Sequence, residues 1–170
     1  MKEKKIVGTP AHSYGIGGLL VSLREVIQGA RQQALRAVDV VQVRTCWTVG
    51  RHIIEFEQSG TARAAYGKRL LADLADNLTV EFGKWFDERN LRHMRAFYAG
   101  FPIWNALRSE LSWTHYRSLL RIEEPATRLW YMNEAAEQNW NTRALDRCMS
   151  SRASDEGLAQ WRTLNVSLSV

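Results

Sequence analysis

Four close pairs of carboxylates are the first residues that could do chemistry here: Glu55/Glu57, Asp73/Asp76, Asp87/Glu88 and Glu123/Glu124. Paired acids can hold a divalent metal that activates water. A nuclease site, however, joins them to a lysine in a fixed local pattern, and none of these pairs is so joined. Asp73 and Asp76 fall on one helix face at i, i+3, where a solvated acidic face is the simpler reading. His12, His52, His93 and His115 have no ligand-like spacing with one another or with Cys46 and Cys148. Gly15, Gly17 and Gly18 precede a helical pattern but follow no strand, so they do not read as a phosphate loop. Nothing recommends a Ser-His-Asp arrangement. The expectation is a chain without an active site, metal, cofactor or small-molecule substrate.

A different chemistry is legible in residues 86–101, FDERNLRHMRAFYAGF. Asp87 is a good N-cap, Glu88 lies in the first turn, and Gly100 with Pro102 ends the run. At 100° per residue, Leu91, Met94, Phe97, Tyr98 and Phe101 gather on one side. Arg89, Arg92, His93 and Ala96 fall on the other, with Arg95 at the edge. A helix with an apolar back and a basic front is what a DNA major groove admits. The competing reading is a solvated basic face.

The whole chain can support such a helix. Its 170 residues have room for one domain with arms, and 45% hydrophobic residues with seven Trp supply a core. Period-two alternation is scarce, which predicts an all-α fold. Net charge is +5, unevenly spread: +3 over residues 1–60, +4 over 61–121 and −2 over 122–170. The positive excess thus surrounds the basic helix, where an acidic partner would need it. Cys46 and Cys148 form no CxxC pair and read as reduced thiols of a cytoplasmic protein. No segment reads as a signal peptide or a membrane span.

The elements that must position the basic face follow in order. Residues 1–15 read as a flexible arm, and 16–150 as the helical domain. From about Ile16 to Gln58 the pattern is one very long helix, or two end to end, with Gly29 as a candidate kink. Its apolar stripe includes Val38, Val41, Thr45, Val49, Ile53 and Phe56. That stripe either packs within the monomer or serves as a homo-oligomer seam. A second helix, about 64–82, buries Leu70, Leu71, Leu74, Ala75, Leu78 and Phe82. The turn Gly83-Lys84-Trp85-Phe86 leads into the basic helix, giving a helix-turn-helix-like unit. Ser112 caps a helix with Trp113, Tyr116, Leu119 and Leu120 facing in; Glu124-Pro125 starts another, and Asn141 caps the last, 142–150. Acidic Glu134, Glu137 and Asp146 argue against a groove role for this second unit. Residues 151–170 read as a tail that is disordered or docks as a strand.

The segments VGRHIIEFEQ (49–58), YGKRLLADLADNLTVEFG (66–83), FDERNLRHMRAFYAGFP (86–102) and LSWTHYRSLLRIEEPATRLWYMNEAAEQNWNTRALDRC (111–148) occur in the order of a known family. Residues 34–149 resemble the N-terminal helical domain of the bacterial YhcG-like family of PD-(D/E)XK nucleases. The resemblance implies DNA binding through a helix-turn-helix, followed in longer relatives by the nuclease domain. Asn90-Leu91 and Leu111-Ser112-Trp113 belong to the family pattern, and Trp113 and His115 are read as packing residues. Trp85 stands where a small turn residue is expected, and Asp87 where Ser is more usual. The nuclease motif is not among these residues, so no catalysis is expected of this chain.

The resulting expectation is a DNA-binding module, with Lys68, Arg69 and Lys84 on phosphate and Arg89, Asn90, Arg92, His93 and Arg95 on the recognition surface. The alternative is a helical oligomerisation or assembly module without direct DNA contact.

Overall fold

The computed structural model describes residues 15–59 and 69–151; residues 1–14 of the expected arm, residues 152–170 of the expected tail, the 64–68 start of the second helix, and with it Lys68, lie outside them. Every regular element among the described residues is helical. The chain divides into two units, residues 1–35 and 36–170.

The first helix, α1 (Ile16–Gln58), is continuous through Gly29, so one helix of 43 residues replaces the two end to end. In the first unit its Ile16, Leu19, Leu20, Leu23, Val26 and Ile27 side chains are exposed. Among the described residues no helix is long and apolar enough to cross a membrane.

The second unit holds the core. Here α1 buries Val43, Cys46, Gly50 and Ile53, at steps of three, four and three. This face is rotated from the stripe read from sequence: Val38, Val41, Thr45 and Phe56 are exposed. The reason is Gly50. A Cβ there would sit 2.0 Å from the Met94 carbonyl oxygen and 3.1 Å from Tyr98 Cβ, so the two backbones touch. A hydrophobicity pattern ranks glycine low, yet the lack of a side chain fixes where the helices cross.

The second helix, α2 (Leu70–Phe82), buries Leu70, Leu71 and Ala75. Phe82 was expected inside but is exposed, and its ring meets Phe86 edge-on at 5.8 Å. Gly83 follows with φ +91°, a left-handed conformation suited to glycine, and redirects the chain into a 3-10 turn at Lys84–Phe86. Then comes α3 (Glu88–Gly100), capped as expected: Asp87 Oδ1 accepts from the Asn90 backbone N–H at 2.7 Å. Leu91, Met94, Phe97 and Phe101 are buried, and Tyr98 is half-buried against Trp47, 5.0 Å between ring centroids.

Three more helices close the core: α4 (Trp113–Leu119), α5 (Pro125–Glu137) and α6 (Thr142–Ser150). Their caps match the sequence. Glu124 accepts from the backbone N–H groups of Ala126 and Thr127 with Pro125 at the first position, and Asn141 accepts from that of Ala144. Phe97 packs on Trp113 and Tyr116 at 5.3 and 4.8 Å, tying α3 to α4. Tyr116 is fully buried; its hydroxyl donates to the Arg108 carbonyl and accepts from the Arg108 N–H, so both phenol functions are satisfied. His115 is a clamp: Nδ1 accepts from the Ser112 N–H at 3.2 Å, which leaves Nε2 to donate to the Trp140 carbonyl at 3.0 Å.

Candidate nucleic-acid interface

The basic residues expected on or beside α3 are not equivalent once ion pairs are drawn. Arg92 bonds Glu88 one turn back on the same helix, a spacing that sequence permits. Arg95 reaches Glu57 of α1 at 2.9 Å, across 38 residues of sequence. Arg69 lies 3.8 Å from Asp73. Lys84 and Arg89 are exposed and form no ion pair among the described residues. Positive charge available to a partner therefore concentrates at the N-terminal end of α3.

Asn90 occupies a structural position within this surface. Its Nδ2 donates to the Trp85 carbonyl at 2.7 Å, and its Oδ1 accepts from Trp113 Nε1 at 3.3 Å. One amide thus holds the turn, α3 and α4 in register. Trp85 rests edge-on against Phe86, 5.0 Å between centroids, so the large turn residue is packed rather than displayed alone.

A cleft of about 220 Å³ opens at this junction, lined by Lys84, Trp85, Asp87, Arg89, Asn90, His93 and Arg117. Its basic residues come from three elements: Lys84 from the turn, Arg89 and His93 from α3, and Arg117 from α4. Arg117 also lacks an ion pair among the described residues. His93 Nε2 and Arg117 Nε are buried atoms with no hydrogen-bond partner among the described residues. Burial pushes the His93 imidazole below its ordinary value of 6.5; the charges of Arg117, Arg89 and Arg92 act in the same direction, and Asp87 opposes them.

Arg117 was missed from sequence. It lies 24 residues beyond His93, one turn after Trp113 at the edge of the buried face of α4, a place that carries no local signal of a site. Proximity to His93 arises from the Phe97 packing, which no spacing rule encodes. Elsewhere the chemistry is sparse. Among the described residues no group of three His, Cys, Asp or Glu side chains could hold a metal ion. An apolar cavity of about 460 Å³ lies between α1 and α2, lined by residues including Val49, Ile53, Leu70, Leu74, Leu78 and Leu91.

Residues 22–155 match the family model described as the DUF1016 N-terminal domain. Over 159 aligned positions the chain is 30% identical to the Escherichia coli (strain K12) protein named "Putative nuclease YhcG". That alignment covers 75% of this chain and 42% of the relative, so the chain spans less than half of the relative's length. No solved structure matches.

Proposed function

The chain belongs to the DUF1016 N-terminal domain family of YhcG-like proteins, and from that premise we propose that it is a DNA-binding module which, in longer relatives, precedes a nuclease domain. The α2–turn–α3 unit acts as the helix-turn-helix, and this chain contributes binding rather than catalysis. The observation carrying this reading is the pair of exposed, unneutralised cations Lys84 and Arg89 at the leading end of α3. Unpaired surface cations release counterions when they meet phosphate, whereas Arg92 and Arg95 must first part from Glu88 and Glu57. The name of the Escherichia coli relative supports a nucleic-acid setting.

The test is fluorescence anisotropy with a labelled duplex across salt concentrations. Affinity should fall steeply with salt, and Lys84→Ala with Arg89→Ala should weaken binding at least about tenfold and flatten the salt slope by roughly two. Arg92→Ala and Arg95→Ala should each cost less. Salt-insensitive binding, or a double variant that binds as the native chain does, refutes the reading.

A second reading rests on a separate observation, the exposed Val38 and Val41 side chains of α1. On it, a second copy covers this face and the chain is an assembly module. Light scattering should then give a mass above the monomer that Val38→Glu with Val41→Glu lowers; a monomer at high concentration removes this reading. The two are compatible, since a symmetric dimer presents two recognition helices.

A further inference from the structure

We infer that the cleft between the Lys84–Phe86 turn, α3 and α4 seats a single phosphate of a nucleic-acid backbone, and that His93 takes up a proton when the phosphate binds. The inference rests on the DNA-binding reading and adds to it a specific seat, the unforeseen residue Arg117, and a dependence on pH.

Three features of the cleft lead there. First, the unmet polar atoms are cationic or can become so. Buried donors without partners are uncommon in folded proteins, and each costs free energy. His93 Nε2 and Arg117 Nε are two of them at one site. An anion with several acceptor oxygens satisfies both at once, which no neutral ligand does as well. Second, the wall acids are not competitors of equal standing. Among the described residues Asp87 is the only carboxylate lining the cleft, and its Oδ1 is bonded to the Asn90 backbone N–H. Glu88 is engaged with Arg92. Third, the size is right: about 220 Å³ is room enough for a phosphate group with part of its hydration.

The proton linkage follows from the charges that face the imidazole. Lys84 lines the cleft from the turn. Burial first, then the charges of Arg117 on α4 and of Arg89 and Arg92 on α3, with Asp87 opposing them, favour the neutral form of the free imidazole. Its Nε2 can then donate only in one tautomer. A bound phosphodiester adds a negative charge inside the ring of cations and reverses the balance, favouring imidazolium with both nitrogens as donors. Affinity should accordingly rise as pH falls towards the ordinary imidazole value of 6.5. A phosphodiester does not titrate near neutrality, so the dependence would report on the protein.

Two measurements on the full chain test this. Duplex affinity, at fixed ionic strength, should increase about two- to tenfold per pH unit on acidification, the upper limit being one proton. His93→Gln should remove most of that dependence, and Arg117→Gln should weaken binding at every pH. Separately, the His93 imidazole is titrated by NMR in sulfate and in chloride of equal ionic strength, sulfate being a tetrahedral oxyanion of constant charge near neutrality. Sulfate should raise the His93 pKa. Salt-dependent DNA binding with an equal pH slope in His93→Gln, or a His93 pKa indifferent to sulfate, overturns the phosphate seat and leaves the DNA-binding reading standing. A sulfate response without any duplex binding does the reverse: it supports the anion seat and refutes DNA as its source.

Discussion

The contact of α1 with α3 at Gly50 makes the sharpest prediction. Replacing Gly50 with Ala adds one methyl group, which would lie 2.0 Å from the Met94 carbonyl oxygen and 2.7 Å from its carbon. Real Cβ contacts stay beyond 3.0 Å, so α1 and α3 must separate by about 1 Å. The obstacle is backbone, and no rotamer change relieves it. The side chains that share this seam, Val43, Cys46, Ile53, Leu91 and Met94, would lose close packing together. Overpacking of a formed core costs about 1–3 kcal/mol, and a backbone obstacle belongs at the upper end. Against this, Ala improves a helix interior over Gly by roughly 0.5–1 kcal/mol. The net is a loss of about 2 kcal/mol, or about 4–8 °C in Tm for a chain of this size.

Gly29 supplies the control on the same helix, since nothing lies within 4 Å of a Cβ added there. Gly29→Ala should leave the transition in place or raise it. Urea and thermal unfolding followed by circular dichroism would measure both variants. A Gly50→Ala protein as stable as the native chain would refute the crossing itself, and with it the placement of α3 against α1.

Four further outcomes are expected. Tyr116→Phe leaves the Arg108 N–H and carbonyl without their shared buried partner and should cost about 1–3 kcal/mol in urea unfolding, although the ring contacts with Phe97 and Phe101 survive. Burial pushes the Cys46 thiol up to about 12, so a thiol reagent at pH 8 should label Cys148 in the native protein and both cysteines only after denaturation. Because an unfolded Cys46 ionises near 9 while the folded one keeps its proton to about 12, stability should fall as pH rises above 9, and less so in Cys46→Ala. Asp87→Ala removes the α3 cap and should cost about 1 kcal/mol, with Asp87→Ser recovering most of it.

What the sequence made legible was what local physics decides. Asp87, Asn141 and Glu124-Pro125 announce their helices because a cap is a contact over two or three residues. The apolar side of α3 was readable because Leu91, Met94 and Phe97 recur at helical spacing and all are buried. On α1 the same reasoning erred: apolar residues surround the helix, so periodicity could not choose a face, and the residue that did choose it was a glycine. Phe82 failed for a related reason. It ends its helix beside the turn, where an aromatic neighbour, Phe86, was close enough to pack on without entering the core.

The candidate site divides along the same line. Charge sign is a property of sequence, but charge availability is a property of the fold. Arg89 and Arg95 carry the same charge on the same helix, yet Glu57 of α1 takes one of them and leaves the other. The pairing of Arg95 depends on the α1–α3 crossing, and thus on Gly50. The cleft depends on the Phe97 contact with α4, which brings Arg117 beside His93. The basic face of α3 is therefore two surfaces. One, at Arg92 and Arg95, is neutralised by Glu88 and Glu57 and reads as stabilising. The other, at Lys84, Arg89, His93 and Arg117, holds unmet charge and unmet donors together. Loosening the core by Gly50→Ala would blur that division from both sides, freeing Arg95 while dispersing the cleft. Weaker DNA binding by that variant, despite one more free cation, would indicate that arrangement rather than total charge governs this face.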